Sequence, residues 1–125
     1  MFRQIDPRSP IPLYVQIANR LRVAVATGEL QPGAVLPSVR NLATVIRVNP
    51  ATVVQAYREL EWAGVVESRQ GAGTFVRDLP EAKLEAERQR EAQRLIRQLF
   101  QESSNLGVTR EDLDYAWEHE MKEGA

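Results

Sequence analysis

Cysteine is missing from the chain. That excludes a disulfide framework, a thiolate zinc site and a cysteine nucleophile. Histidine is almost missing too: His119 is the single one, so a histidine-rich metal site is excluded and any Ser-His-Asp triad has only that imidazole to use. No stretch approaches the roughly 18 apolar residues that a membrane span needs. The opening Met1-Phe2-Arg3-Gln4-Ile5-Asp6 also lacks the apolar region of a secretory leader. These absences predict a soluble chain in a reducing cytoplasm, with no membrane partner. An excess of one charge is lacking as well, since 16 basic residues face 17 acidic ones for a net charge of −1. That balance by itself argues against a nucleic-acid binder.

The average conceals a division. Residues 1–78 carry nine arginines against six acids, whereas residues 79–125 carry seven basic against eleven acidic side chains. A mildly basic front and an acidic rear suggest two tasks. With 125 residues, 43% hydrophobic and 26% charged, the chain has room for one globular domain and a small appendage. It has none for a separate catalytic domain.

Hydrophobic spacing gives the elements. Leu13, Ile17, Leu21 and Val25 recur every fourth residue, which predicts a helix from about Pro12 to Thr27, with proline in the first turn and Gly28 ending it. Ser38 precedes Val39, Leu42, Ala43 and Ile46 and reads as the N-cap of a short second helix. Asn49 reads as a second cap, its side chain accepting from the amide near Thr52, with Pro50 as the first residue of a third helix whose inward face is Val53, Ala56, Tyr57 and Leu60. Val65–Ser68 and Thr74–Arg77 flank Arg69-Gln70-Gly71-Ala72-Gly73 as a hairpin. Asp78-Leu79-Pro80 reads as a linker, followed by a charged helix from Glu81 to about Gln101 and a turn over residues 103–107. Thr109 and Asp112 form a capping box for a last helix. The tail's apolar residues, Leu95, Ile96, Leu99, Phe100, Leu113, Trp117 and Met121, exceed what a two-helix hairpin can hide by itself.

Three helices and a hairpin make a winged helix-turn-helix, in which the third helix enters the major groove and the hairpin lies on flanking DNA. Asn49, Ala51, Thr52, Val54, Gln55 and Arg58 then fall on the outer or leading surface of that helix. The Gln55 amide can pair with adenine N6 and N7. Ser38 and Arg40, at the start of the second helix, suit a phosphate. Arg69 and Gln70 at the wing tip are free to touch DNA, while the tip glycines lack the lysine and spacing of a phosphate-binding P-loop. Each of these residues could equally be a cap or a solvated surface residue, because the same geometry occurs in proteins that bind no DNA. His119, with Tyr115 and Glu123 at helical spacing, offers too few convergent ligands for a metal. Trp62 and Trp117 read as core or interface residues.

Order and spacing of several motifs narrow the choice. Pro12-Leu13-Tyr14-Val15-Gln16-Ile17, the run from Gly28-Glu29-Leu30 through Leu36-Pro37-Ser38-Val39-Arg40 to Ala43, Val48-Asn49-Pro50-Ala51-Thr52-Val53, Ala56-Tyr57-Arg58-Glu59-Leu60-Glu61, and Gly64 through Arg69-Gln70-Gly71-Ala72-Gly73 to Val76 together resemble the DNA-binding domain of GntR-family bacterial transcription regulators over residues 10–77. The short tail resembles the YtrA-like subfamily, whose reduced two-helix region serves dimerisation. The resemblance implies contacts to bases or backbone from Arg40, from Asn49, Pro50 and Thr52, and from Arg69, Gln70 and Gly71. Two residues depart from the pattern. Arg47 stands where a glycine usually makes a left-handed turn, which adds a cation beside the phosphates, and Gln55 stands where many relatives have arginine.

The sequence therefore predicts a mostly α protein with a small β-hairpin. A winged helix-turn-helix domain over residues 1–78 precedes a two-helix C-terminal dimerisation region over 79–125. The expected function is sequence-specific binding of double-stranded operator DNA by a homodimeric repressor, using Ser38, Arg40, Arg47, Asn49, Pro50, Thr52, Gln55, Arg58, Arg69, Gln70 and Gly71. No cofactor, metal or catalytic residue is expected, and a small-molecule effector of unidentified chemistry is left room for. The competing class is a protein-interaction module whose helix-turn-helix is vestigial and whose acidic tail meets a protein partner; an enzyme has nothing behind it.

Overall fold

A computed structural model describes residues 1–2 and 5–124. Helix α1 (Leu13–Ala26) starts at Pro12. An N-terminal arm is tied to α1 by Gln16, whose Nε2 donates to the Asp6 and Ile11 carbonyls at 2.9 and 2.8 Å while its Oε1 accepts from the Asp6 amide at 2.8 Å. Helix α2 (Val39–Ile46) opens as expected: the Ser38 hydroxyl accepts from the Asn41 amide at 3.1 Å. It closes on Arg47, which holds a left-handed φ of 57° while the Val48 amide donates to the Ala43 carbonyl at 3.0 Å. Helix α3 (Pro50–Trp62) is capped by Asn49, but its Oδ1 accepts from Ala51 at 2.9 Å. The Thr52 amide is unavailable to that side chain because it already donates to the Asn49 carbonyl at 2.9 Å.

Strands β1 (Val66–Arg69) and β2 (Gly73–Val76) pair antiparallel, in register from Val66 opposite Val76 to Arg69 opposite Gly73. Each lies one residue from its expected start. A short extended run before α2 joins the wing: Val35 bridges Phe75, Leu36 donates to the Thr74 carbonyl and Val76 to the Ala34 carbonyl, both at 2.8 Å. Gly73 is required here, since its φ is +119° and a Cβ would come within 3.2 Å of Val35 Cγ2.

The core gathers one face from each element. Ile17 and Leu21 of α1, Val53 and Leu60 of α3, and Val66 of β1 are fully buried, joined by Leu36, Leu42, Val65 and Val76. Helix α3 is the hub, packed by α1, α2 and β1. The residues expected to act as a linker are partly anchored. Leu79 and Leu84 pack against this core, and Arg88 Nη1 donates to the Ala26 carbonyl at 2.9 Å. That carbonyl ends α1 and would otherwise lack a helical partner. The first compact unit accordingly runs from Met1 to Gln89, past Asp78.

Helix α4 (Glu81–Leu106) outlasts its expected end at about Gln101, and residues 103–106 are helix rather than turn. Ser103, buried within that stretch, donates its hydroxyl back to the Phe100 carbonyl at 3.0 Å, so its polar group is paired. Gly107, at φ +76°, ends the helix, with its amide on Ser104 and that of Val108 on Ser103. Helix α5 (Arg110–Gly124) begins in the anticipated capping box: the Asp112 carboxylate accepts from the Thr109 amide at 3.0 Å, and the Thr109 hydroxyl from the Asp112 amide at 3.2 Å. The Thr109 hydrogen bonds hold the Asp112 carboxyl below its ordinary pKa. In this second unit, Arg90 onward, Ser103 is the one buried residue among those described.

Candidate nucleic-acid interface

Because α3 turns Val53, Ala56, Tyr57 and Leu60 inward, its opposite face is available. Asn49, Pro50, Ala51, Val54, Gln55 and Arg58 are exposed and Thr52 is half-buried. Ala51, Val54, Gln55, Arg58, Glu59 and Trp62 line one shallow groove along that face. Trp62 is 74% exposed and belongs to this surface, not to the core. Of the two expected places, core or interface, the core is excluded, because Trp62 lies on the stripe of Ala51, Gln55 and Arg58, away from the stripe that faces α1.

Tyr57 performs a task that its place on the buried face did not announce. Its hydroxyl donates to the Pro37 carbonyl at 2.6 Å, which links α3 to the residue just before the cap of α2. Burial raises its pKa from 10.0 to about 12, so the donor stays protonated over any physiological range. The bond ties the chain just before α2 to α3, beside Ser38 and Arg40, which are both exposed at the start of α2. Among the described residues, no carboxylate lies within ion-pair distance of Arg40, Arg47 or Arg58. Guanidinium groups left free in this way suit phosphate oxygens or guanine edges.

The wing arginine is held differently. Arg69 places Nε and Nη2 on Glu67 Oε1 at 3.1 and 2.8 Å, and its guanidinium carbon lies 4.4 Å from the centre of the Phe75 ring. Gln70 and Gly71, at the hairpin end, are exposed. Sequence reasoning singled out Arg69 and missed the two residues that hold it. The signal was present in strand alternation: Glu67 and Arg69 share a face, and Phe75 sits directly opposite Glu67.

In the second unit, Leu95, Ile96, Leu99, Phe100, Trp117 and Met121 are 42–61% exposed, and Leu113 is half-buried. His119 approaches Glu123 at 3.7 Å and stacks on Tyr115 with ring centres 6.1 Å apart. Among the described residues, no group of three or more His, Cys, Asp and Glu side chains could hold a metal, and no helix is long and apolar enough to cross a membrane.

Known proteins share this arrangement. The family model described as bacterial regulatory proteins, gntR family, matches residues 13–76, from the start of α1 to the end of β2. The HTH-type transcriptional repressor YtrA of Bacillus subtilis is 38% identical over 118 residues, covering 94% of this chain and 90% of the relative. A solved GntR family transcriptional regulator from Listeria monocytogenes superposes with a TM-score of 0.69 at 31% identity, over 92% of this chain and 97% of that one. YtrA from Sulfolobus acidocaldarius, a GntR-family transcription factor, superposes with a TM-score of 0.59 at 34% identity, over 74% and 97% of the two chains. These similarities extend beyond the winged helix into the tail.

Proposed function

The chain belongs to the GntR family of bacterial regulatory proteins, and from that premise we propose that it represses transcription as a cytoplasmic homodimer bound to an inverted-repeat operator. The family and its relatives are transcription regulators rather than enzymes. In this reading the first unit reads each half-site. Helix α3 enters the major groove with Gln55 and Arg58 toward base edges, and with Asn49, Pro50 and Thr52 at the leading end. Ser38, Arg40 and Arg47 meet phosphates, and Arg69, Gln70 and Gly71 of the wing meet flanking DNA. The second unit pairs two copies through Leu95, Ile96, Leu99, Phe100, Leu113, Trp117 and Met121. A small-molecule effector is compatible with this scheme and plays no part in it.

The observation that carries the dimer is the apolar exposure of the tail. Phe100 is 47% exposed and Trp117 61% exposed in a segment where α5 buries nothing among its described residues. A two-fold axis would let each copy cover that surface on the other. Linking two readers makes the second half-site contact intramolecular, a gain of roughly 10²- to 10⁴-fold without any new DNA contact.

The test combines sedimentation with gel shifts on duplexes bearing one half-site or two. The intact protein should sediment as a dimer and prefer the two-half-site duplex. Cutting after Gln89, which keeps Leu84 and Arg88 on the core, should give a folded monomer that binds both duplexes with similar, weak affinity. A truncated protein that stays dimeric, or binds the full site as tightly as the parent, overturns the proposal.

A further inference from the structure

The outer face of α3 carries an apolar spot that the polar contacts described above do not use. Ala51 and Val54 are both exposed, and they line the same groove as Gln55 and Arg58. At a spacing of i and i+3 their β-carbons lie about 5–6 Å apart on one helix face. Helical side chains lean toward the N-terminus, so the Val54 methyl groups lie toward Ala51, over the leading turn of the helix. That turn is the part of a recognition helix that comes nearest the base edges.

Valine at this position is not enclosed by the core. It keeps 38% of its surface exposed on the outer face of α3, so part of its apolar surface is left for a ligand to cover, while a β-branched residue loses side-chain freedom in a helix. Its isopropyl group can neither donate nor accept a hydrogen bond. Of the groups displayed in the major groove, the thymine C5-methyl is the apolar one.

We propose that Val54, backed by Ala51, reads a thymine methyl group in each half-site and is a specificity-determining residue beside Gln55. The assignment rests on the DNA-reading role proposed for α3 and adds a chemical identity to one base pair. Gln55 selects by paired hydrogen bonds, whereas Val54 selects by removing a methyl group from water. The two preferences are separable, since only the second depends on the methyl.

Selection from a random duplex pool with the intact protein first supplies a preferred site. Each thymine in it is then replaced singly by deoxyuridine, which deletes the methyl and leaves every hydrogen-bonding group in place. One thymine per half-site should show about fourfold weaker binding, the factor that corresponds to burial of a single methyl group. Val54→Ala should bind the thymine and deoxyuridine duplexes equally, while its melting curve matches that of the parent.

A preferred site with no methyl-sensitive thymine overturns this assignment and leaves operator reading intact. So does a Val54→Ala protein that keeps the fourfold penalty. A pool from which no sequence is enriched overturns operator reading itself, and this assignment with it. The scan on the unaltered protein stands without any variant, so a folding defect in Val54→Ala would not decide the result.

Discussion

The two units of the chain spend their apolar residues in opposite ways. In the first, Ile17, Leu21, Val53 and Leu60 are at most 1% exposed, and α3 is enclosed on its inner side by α1, α2 and β1. In the second, Leu95, Ile96, Leu99 and Phe100 are 42–52% exposed along α4. Side chains of the same type therefore mean different things. Buried within one chain they stabilise a reading head, and left half-open they are a surface that a second molecule can cover. The charge division follows the same line, with arginines in excess where DNA would lie and acids in excess in the tail.

The largest test of this contrast is a pair of truncations. Leu60→Ala should destabilise the first unit by about 2–5 kcal/mol, read as a fall in the denaturant midpoint at any protein concentration. Leu99→Ala should leave the stability of the dissociated chain within about 0.5 kcal/mol and instead weaken the dimer, so that dissociation on dilution sets in at a higher protein concentration than in the parent. Equal, concentration-independent losses from both would erase the distinction. Gln55→Ala comes next: loss of a paired amide should cost about 1–3 kcal/mol on the preferred duplex and relax preference at one base pair per half-site. Uniform weakening on every sequence would move Gln55 to the backbone.

Tyr57→Phe should cost about 1 kcal/mol by removing the hydrogen bond to Pro37. It also has a pH signature. The folded-state pKa, about 12, lies above the ordinary 10.0, so folding favours the protonated phenol. The contribution is complete below pH 10 and declines as pH rises toward 12. Stability measured across that window should fall less in Tyr57→Phe than in the parent. The smallest effect is expected at Arg47, whose φ of 57° suits glycine. Relief of that strain should outweigh the added freedom of the unfolded chain, so Arg47→Gly should gain about 0.5–1 kcal/mol. It should also flatten the salt dependence of DNA binding by about 0.9 in slope if Arg47 meets one phosphate.

Local chemistry made much of this legible in the sequence. The caps at Ser38, Asn49 and Thr109 depend on side chains within a few residues of the amides they accept from, so short-range pattern suffices. The inward face of α3 followed from its period. What escaped required distant partners. Arg88 reaches a carbonyl 62 positions earlier in the chain, and Tyr57 a carbonyl 20 positions earlier, and nothing local announces either. The helix over residues 103–106 was hidden for another reason. Ser103, Ser104 and Asn105 are common turn residues, yet here the Ser103 hydroxyl turns back onto Phe100 and the helix runs on to Leu106 before Gly107 ends it.

The grip of Glu67 and Phe75 on Arg69 bears on the thermodynamics of contact. A free arginine side chain surrenders much rotational entropy when a ligand fixes it, about 0.5–1.5 kcal/mol per immobilised side chain. Arg40, Arg47 and Arg58, which no carboxylate among the described residues restrains, would meet that loss if they are fixed on DNA. Arg69 has met part of it on folding, through its bonds to Glu67 and its stacking on Phe75. On the proposed DNA-binding reading, Arg69 would make the wing the stiffer part of the interface, partly ordered before a duplex arrives.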